Sequence, residues 1–233
     1  GLERALEIYP YTRYRVRCLG FCNGIYALFA VPHGTLPLLL EFVEGLKQMG
    51  LITDFYYKVP IARWAYSETD FRYYNIETDS WRFEWRDWEA ALRGIERPSP
   101  LERYPPSILH QMDERDMNIL RQLTIDARER EKVIAERAGV PPYHLSRRLK
   151  FYRENCVIDT YRVIVHRDAS KLFATLMFEC RCPIRTTERF AEALRYLPFQ
   201  STLVPVKDGF FLQTSIPSKG LPKLGTILQK YCE

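Results

Sequence analysis

Between Met112 and Ile158 the chain carries three apolar stripes at helical spacing, separated by punctuation that leaves room only for tight turns. Met117, Ile119, Leu120 and Leu123 form the first stripe, behind an acidic opening at Asp113, Glu114 and Asp116 that suits the positive end of a helix dipole. A second short helix is predicted over Arg128–Ala138, with Val133, Ile134 and Ala138 as its apolar side and Gly139 as its stop. Pro142 stands in the first turn of a third helix, where its missing N–H costs nothing. Leu145, Leu149 and Tyr152 then fall at i, i+4 and i+7. Three helices with one stripe each must bury those stripes against one another, which restricts the segment to a compact three-helix unit.

The opposite side of the third helix presents Tyr143, His144, Ser146, Arg147 and Lys150, with Arg148 nearer the flank and Arg153 beyond. No Asp or Glu occurs between Pro141 and Arg153. A helix with such a face can reach guanine edges and phosphates when it lies in a major groove. At these residues the chain resembles the Lrp/AsnC family of transcription regulators, whose DNA-binding segment typically reads LDE.D..IL..L and then A...G.S...V..R...L...GVI. The matching positions here are Met112, Asp113, Glu114, Asp116, Ile119, Leu120, Leu123, Asp126, Ala127, Arg128, Ile134, Ala135, Gly139, Leu145, Arg147, Arg148, Leu149, Val157 and Ile158. Pro141 stands where the family usually has an N-capping Ser, and Asn155-Cys156 where it has a Gly before the closing Val-Ile. The resemblance implies a winged helix-turn-helix that binds double-stranded DNA. Tyr143, His144, Ser146, Arg147 and Lys150 would face the groove, and Arg148 and Arg153 would hold phosphates.

An internal repeat organises the rest. Tyr14-Arg15-Val16 recurs as Tyr161-Arg162-Val163, and Ile25-Tyr26-Ala27 overlies Leu172-Phe173-Ala174 at the same separation of 147. With one inserted residue, Phe42 and Leu46 overlie Phe190 and Leu194. The first copy reads as strands 14–18 and 25–31, a helix over 36–49, and paired strands 53–59 and 63–71. The second reads as strands 161–165 and 172–180, a helix over 186–196, strands 202–206 and 210–216, and a last helix over 221–232. The expected class is α+β: a winged helix-turn-helix flanked by two ferredoxin-like antiparallel βαββ(α) domains. Their boundaries are residues 1–97, 98–158 and 159–233. Such domains are similar to the effector-binding and oligomerisation domain of Lrp/AsnC proteins. Leu2 overlies Leu149, so residues 1–12 read as the remnant of an earlier helix-turn-helix. That implies tandem, archaeal-type halves, and either a homodimer or an internal pseudo-dimer able to read paired half-sites.

The linker 94–107 holds Pro98, Pro100, Pro105 and Pro106, which disfavour a continuing helix. Before it, Trp81, Phe83 and Trp85 alternate with Arg82, Glu84 and Arg86, the period of a half-buried strand, and Trp88 begins a short helix. With Trp64, Tyr66, Phe71, Tyr73 and Tyr74 these aromatics are expected in core packing, with a subunit interface or a small-molecule effector site as the other uses.

The net charge of +5 is mild, so any affinity for nucleic acid must come from local patches. The longest apolar run, near Leu36 to Val43, is too short to span a bilayer, and the expectation is a cytoplasmic protein without a membrane partner. Cys18 and Cys22, and Cys180 and Cys182, do not have zinc-ribbon spacing, and buried free thiols are expected rather than a metal site. The four histidines form no cluster, and no Ser-His-Asp, P-loop or nucleophile-elbow pattern is visible. No catalytic residue and no cofactor are therefore assigned. Two other readings stand beside the regulator. One is a tetrapyrrole enzyme similar to the siroheme decarboxylases, for which the basic, aromatic-rich first copy would suit an acidic ligand. The other is a protein-interaction module whose helix-turn-helix no longer contacts DNA.

Overall fold

The computed structural model describes residues 1–20, 23–162, 165, 171–172 and 174–232. The chain divides into two compact units, Gly1–Lys58 and Val59–Glu233.

In the first unit, helix α1 (Leu2–Ile8) leads into an antiparallel hairpin of β1 (Thr12–Cys18) and β2 (Gly24–Phe29), followed by α2 (Leu36–Gln48). Burial alternates strictly along β1, as a strand with one covered face requires. Tyr9 stacks on Phe42 of α2 at 4.0 Å and meets Phe29 edge-on at 5.9 Å, so one aromatic ring ties the strand side to the helix. Leu39 and Leu46 are the buried residues of α2. Gly50, at φ 69°, ends that helix: its N–H bonds Lys47 and the next N–H, of Leu51, bonds Leu46.

The second unit contains a three-helix segment and an antiparallel sheet with helices. The sheet order is β3 (Ala65–Ser67), β7 (Ser201–Val206), β8 (Gly209–Thr214), β6 (Leu176–Arg181). Because β8 is antiparallel to both β6 and β7, those two run parallel with β8 between them. Helix α7 (Ile184–Ala193), extended by a 3₁₀ turn over Leu194–Tyr196, connects them in the split β-α-β order of a ferredoxin-like half. A further helix, α8 (Leu221–Tyr231), closes the chain. The core joins Phe190, Phe199, Leu203, Phe210, Leu212, Leu224 and Ile227 to Trp85, Trp88 and Leu92 of α3 (Trp85–Gly94). Trp88 Nε1 donates to the Ala193 carbonyl at 3.0 Å, so the indole is buried with its one polar atom satisfied.

The repeat is visible in the helices. Leu36–Gln48 and Ile184–Tyr196 begin and end at equivalent positions once the single inserted residue is counted. The strands depart from it. Residues 53–59 form no strand, and β3, expected to pair with them, pairs with β7 of the second copy through Ala65↔Leu203, Tyr66↔Thr202 and Ser67↔Ser201. Ser67 Oγ also donates to the Phe199 carbonyl at 2.6 Å. Residues 59–97, read from the sequence as the end of the first copy, supply a strand and the α3 tryptophans to the second copy's core and fall in the same compact unit, Val59–Glu233. The strand expected over Trp81–Trp85 is cut to β5 (Ser80–Trp81), paired with β4 (Tyr74–Asn75), because α3 begins at Trp85. Trp81, Phe83 and Trp85 surround Phe199 at centroid distances of 5.2, 5.4 and 6.0 Å, which is core packing. The strand expected over 161–165 falls largely outside the described residues. Among the described residues no helix is long and apolar enough to cross a membrane.

Candidate nucleic-acid interface

Helices α4 (Glu114–Ile125), α5 (Glu131–Ala138) and α6 (Pro142–Glu154) lie where the stripes predict them, with α5 starting three residues later than expected. Their local signals are explicit. Asp113 accepts from the N–H groups of Arg115 (2.9 Å) and Asp116 (3.1 Å), while the Asp116 carboxylate accepts from the Asp113 N–H (2.8 Å), closing a capping box. Gly139 ends α5 in the left-handed region at φ 69°, which frees Val140 N–H to bond back to Ala135 at 2.9 Å. Pro141 is the N-cap of α6 without a side-chain cap, and Pro142 takes the first helical position.

Ile119, Ile134, Ala135, Ala138, Leu145, Leu149 and Tyr152 are buried together, so the three stripes meet as one small core. That packing fixes which side of α6 faces outward. Tyr143, Ser146, Arg147, Lys150 and Arg153 are exposed and His144 is half-buried. Tyr143 is 75% exposed at the start of this face. Lys150 reaches Glu154 at 3.7 Å across one turn, a loose surface pair of little energetic weight.

Two of the expected site residues are engaged elsewhere. Ser146 Oγ donates to Glu131 at 2.7 Å and lies 3.4 Å from the Pro142 carbonyl, so the first turn of α5 supplies a carboxylate beside the exposed face of α6. Arg148, expected to hold a phosphate, is turned inward: Nε donates to Asp116 Oδ1 at 2.5 Å, and Nη2 to Asp116 Oδ2 at 2.6 Å and to the Gln111 carbonyl at 3.2 Å. Its guanidinium also lies 4.2 Å from the Phe151 ring centre. The physical reason is Asp116, whose side chain is only 3% exposed and which needs a cation within reach. Tyr152 OH completes the cluster with a 2.5 Å bond to Asp116 Oδ1. Burial pushes the Asp116 carboxyl up, but the hydrogen bonds from Arg148, Tyr152 and the Asp113 N–H outweigh it and hold the group below the usual carboxylate range. Burial and the bond to Asp116 together push the Tyr152 phenol up.

This clamp was legible in part. Asp116 lies three residues before Ile119, on the buried stripe rather than on the solvent side, and Arg148 and Tyr152 are one turn apart. An acid on an apolar stripe asks for a partner, and only the packed structure shows which cation answers.

The expected wing takes another form. After α6, Cys156 adopts φ 54°, and the N–H groups of Val157 (2.8 Å) and Ile158 (3.2 Å) both bond the Tyr152 carbonyl. Val157 and Ile158 fold back onto the three-helix core, and among the described residues no strand intervenes before β6.

The cysteines form a separate cluster. Cys180, Cys182 and Cys232, the last just past α8, pack at the core of the second unit, and Cys182 Sγ lies 3.5 Å from Thr187 Oγ1. Hydrogen bonding to Cys180, with burial, pushes the Cys232 thiol up to about 12, and Cys182 is raised by its bond to Cys232 and by burial. Among the described residues no group of three or more His, Cys, Asp or Glu is arranged to hold a metal ion. Cys22 lies outside the described residues.

No protein-family model and no curated protein matches the chain. Among solved structures it is similar to B. subtilis LrpC, at 17% identity over 52% of this chain and 89% of that one, with a TM-score of 0.45. It is also similar to MtbAldR, at 19% identity over 49% of this chain and 82% of that one, with a TM-score of 0.39. Neither likeness is close enough to carry a functional reading.

Proposed function

We propose that the chain is a sequence-specific DNA-binding transcriptional regulator of Lrp/AsnC type, with α6 as its reading helix. The observation that carries this is the division of α6. Leu145, Leu149 and Tyr152 are buried, and Tyr143, Ser146, Arg147, Lys150 and Arg153 are left on the solvent side of a small helix-turn-helix core. Arg147 is exposed and has no ion-pair partner among the described residues, which leaves it available for bidentate bonds to a guanine edge. Lys150 and Arg153, a turn further on, serve phosphates, and Tyr143 and His144 add contacts at the start of the helix. Arg148 has no part in the contact because Asp116 holds it. Two chains, each presenting one α6, would read half-sites about one helical turn apart.

Fluorescence anisotropy against duplex DNA, first a random pool and then a selected site, tests the reading. Arg147→Ala is expected to cost about 1–3 kcal/mol at the selected site and to relax base preference there, whereas Lys150→Ala weakens all sequences alike. Unchanged binding in both variants would remove α6 as the reader.

A further inference from the structure

The first unit carries a second basic surface. Along β1 the exposed positions are Arg13, Arg15 and Arg17, one every second residue, and all three line one cleft, with a bulge between Thr12 and Tyr14 setting off Arg13. The register places Ala27 opposite Arg15 and Ile25 opposite Arg17, so the neighbouring positions on that face are apolar. Tyr14 and Val16 share the other face with Leu28 and Tyr26. No Asp or Glu occurs in the sequence from Ile8 to Leu40, and the hairpin itself is acid-free.

The carboxylates near the row come from α1. Glu3 accepts from Arg17 Nε at 2.5 Å, and Glu7 lies 3.9 Å from Arg15 Nη2. Both glutamates are about half exposed, and Glu7 is shared with Arg4 at 3.2 Å. Exposed pairs of this kind are weak and exchange readily with another anion. Arg13 has no carboxylate partner among the described residues. Glu3, the three arginines and Ile25 line an open cleft of about 520 Å³. An open cleft lined by three planar cations, with Tyr14, Val16 and Ile25 as its remaining walls, does not enclose a small molecule. It fits a polyanion, and planar guanidinium groups along one strand match the repeated, bidentate acceptors of a phosphodiester chain.

We propose that the β1 arginine row binds a nucleic-acid backbone, with Glu3 and Glu7 occupying the phosphate positions until nucleic acid displaces them. The inference rests on the DNA-binding reading for the identity of its ligand and extends it to a surface that makes phosphate contacts without reading bases.

The test uses the full chain and anisotropy against a duplex and a single-stranded oligonucleotide across a salt series. Arg13→Gln/Arg15→Gln/Arg17→Gln is compared with Glu3→Gln/Glu7→Gln and with Arg147→Ala/Lys150→Ala. The arginine variant is expected to lower the slope of log affinity against log salt by about 0.9 for each duplex phosphate it no longer neutralises. The glutamate variant is expected to tighten binding. The preferred oligonucleotide identifies whether the backbone is duplex or single-stranded. An unchanged slope in the arginine variant, with binding weakened in Arg147→Ala/Lys150→Ala, overturns the proposal and leaves α6 as reader. Loss in the arginine variant with no effect of Arg147→Ala/Lys150→Ala removes α6 and leaves the proposal standing. Absence of binding by the unmodified chain at low salt overturns both. Equal binding of polyglutamate of matched length would reassign the row to acidic peptides.

Discussion

Replacing Asp116 with Ala removes one carboxylate and leaves three donors that point at it. These are the Arg148 guanidinium, through bonds of 2.5 and 2.6 Å, the Tyr152 hydroxyl at 2.5 Å, and the Asp113 N–H at 2.8 Å. Breaking a buried ion pair by removing one member costs about 3–5 kcal/mol, most of it from the charge left behind. Arg148 keeps 17% of its side chain exposed and can turn partway to water, which places the loss near the lower end, about 3 kcal/mol. With a urea dependence of about 2 kcal/mol per molar, the unfolding midpoint falls by about 1.5 M, read by far-UV circular dichroism. A loss below about 1 kcal/mol would refute the argument that Asp116 holds α4 to α6. Replacing the pair together, Asp116→Leu/Arg148→Met, is expected to recover most of the loss, since no charge is then stranded. The pH dependence has a definite sign. The folded carboxyl titrates below its unfolded value of about 3.9, so its contribution is complete above that pH and is lost as the pH falls through the folded value. Asp116→Asn should therefore lack part of the acid destabilisation that the unmodified chain shows below about pH 4.

Gly209 has φ 145°, and a Cβ there would stand 1.9 Å from the Cys180 carbonyl oxygen. Gly209→Ala is expected to cost about 3 kcal/mol or more from combined strain and overlap, and a wild-type melting temperature would contradict that geometry. Cys156 is exposed, whereas Cys180 is buried and Cys182 and Cys232 have raised thiols. Iodoacetamide at neutral pH should therefore modify Cys156 well before those three, as peptide mass spectrometry would show. Equal rates in the folded chain would mean that the three thiols are not packed together.

The three helices around residues 112–158 were readable because burial on a helix follows a period of 3.6 and is decided within a few residues. Leu145, Leu149 and Tyr152 announce their face with no knowledge of the partner. The same holds for α7 and α8 and for the β7–β8 hairpin, whose strands are joined by a tight turn. Residues 65–67 were not readable in this way, since an alternating segment says that it is a strand but not which edge it joins, and residues 53–59, read as its partner, form no strand. β3 is only three residues long and takes its partner from far along the chain, at Ser201–Leu203. The candidate interface divides along the same line. That Tyr143, Arg147 and Lys150 lie outward follows from helical spacing alone. The inward turn of Arg148 depends on a carboxylate 32 residues earlier, on a different helix, and helical spacing, which puts Arg148 at the flank, does not name that partner. By itself the sequence determined where helices form and which stripe each buries, because those are short-range consequences of backbone geometry. Tertiary structure alone decided which strands pair and which arginine is spent on the core, because both are settled by which distant groups meet when water is excluded.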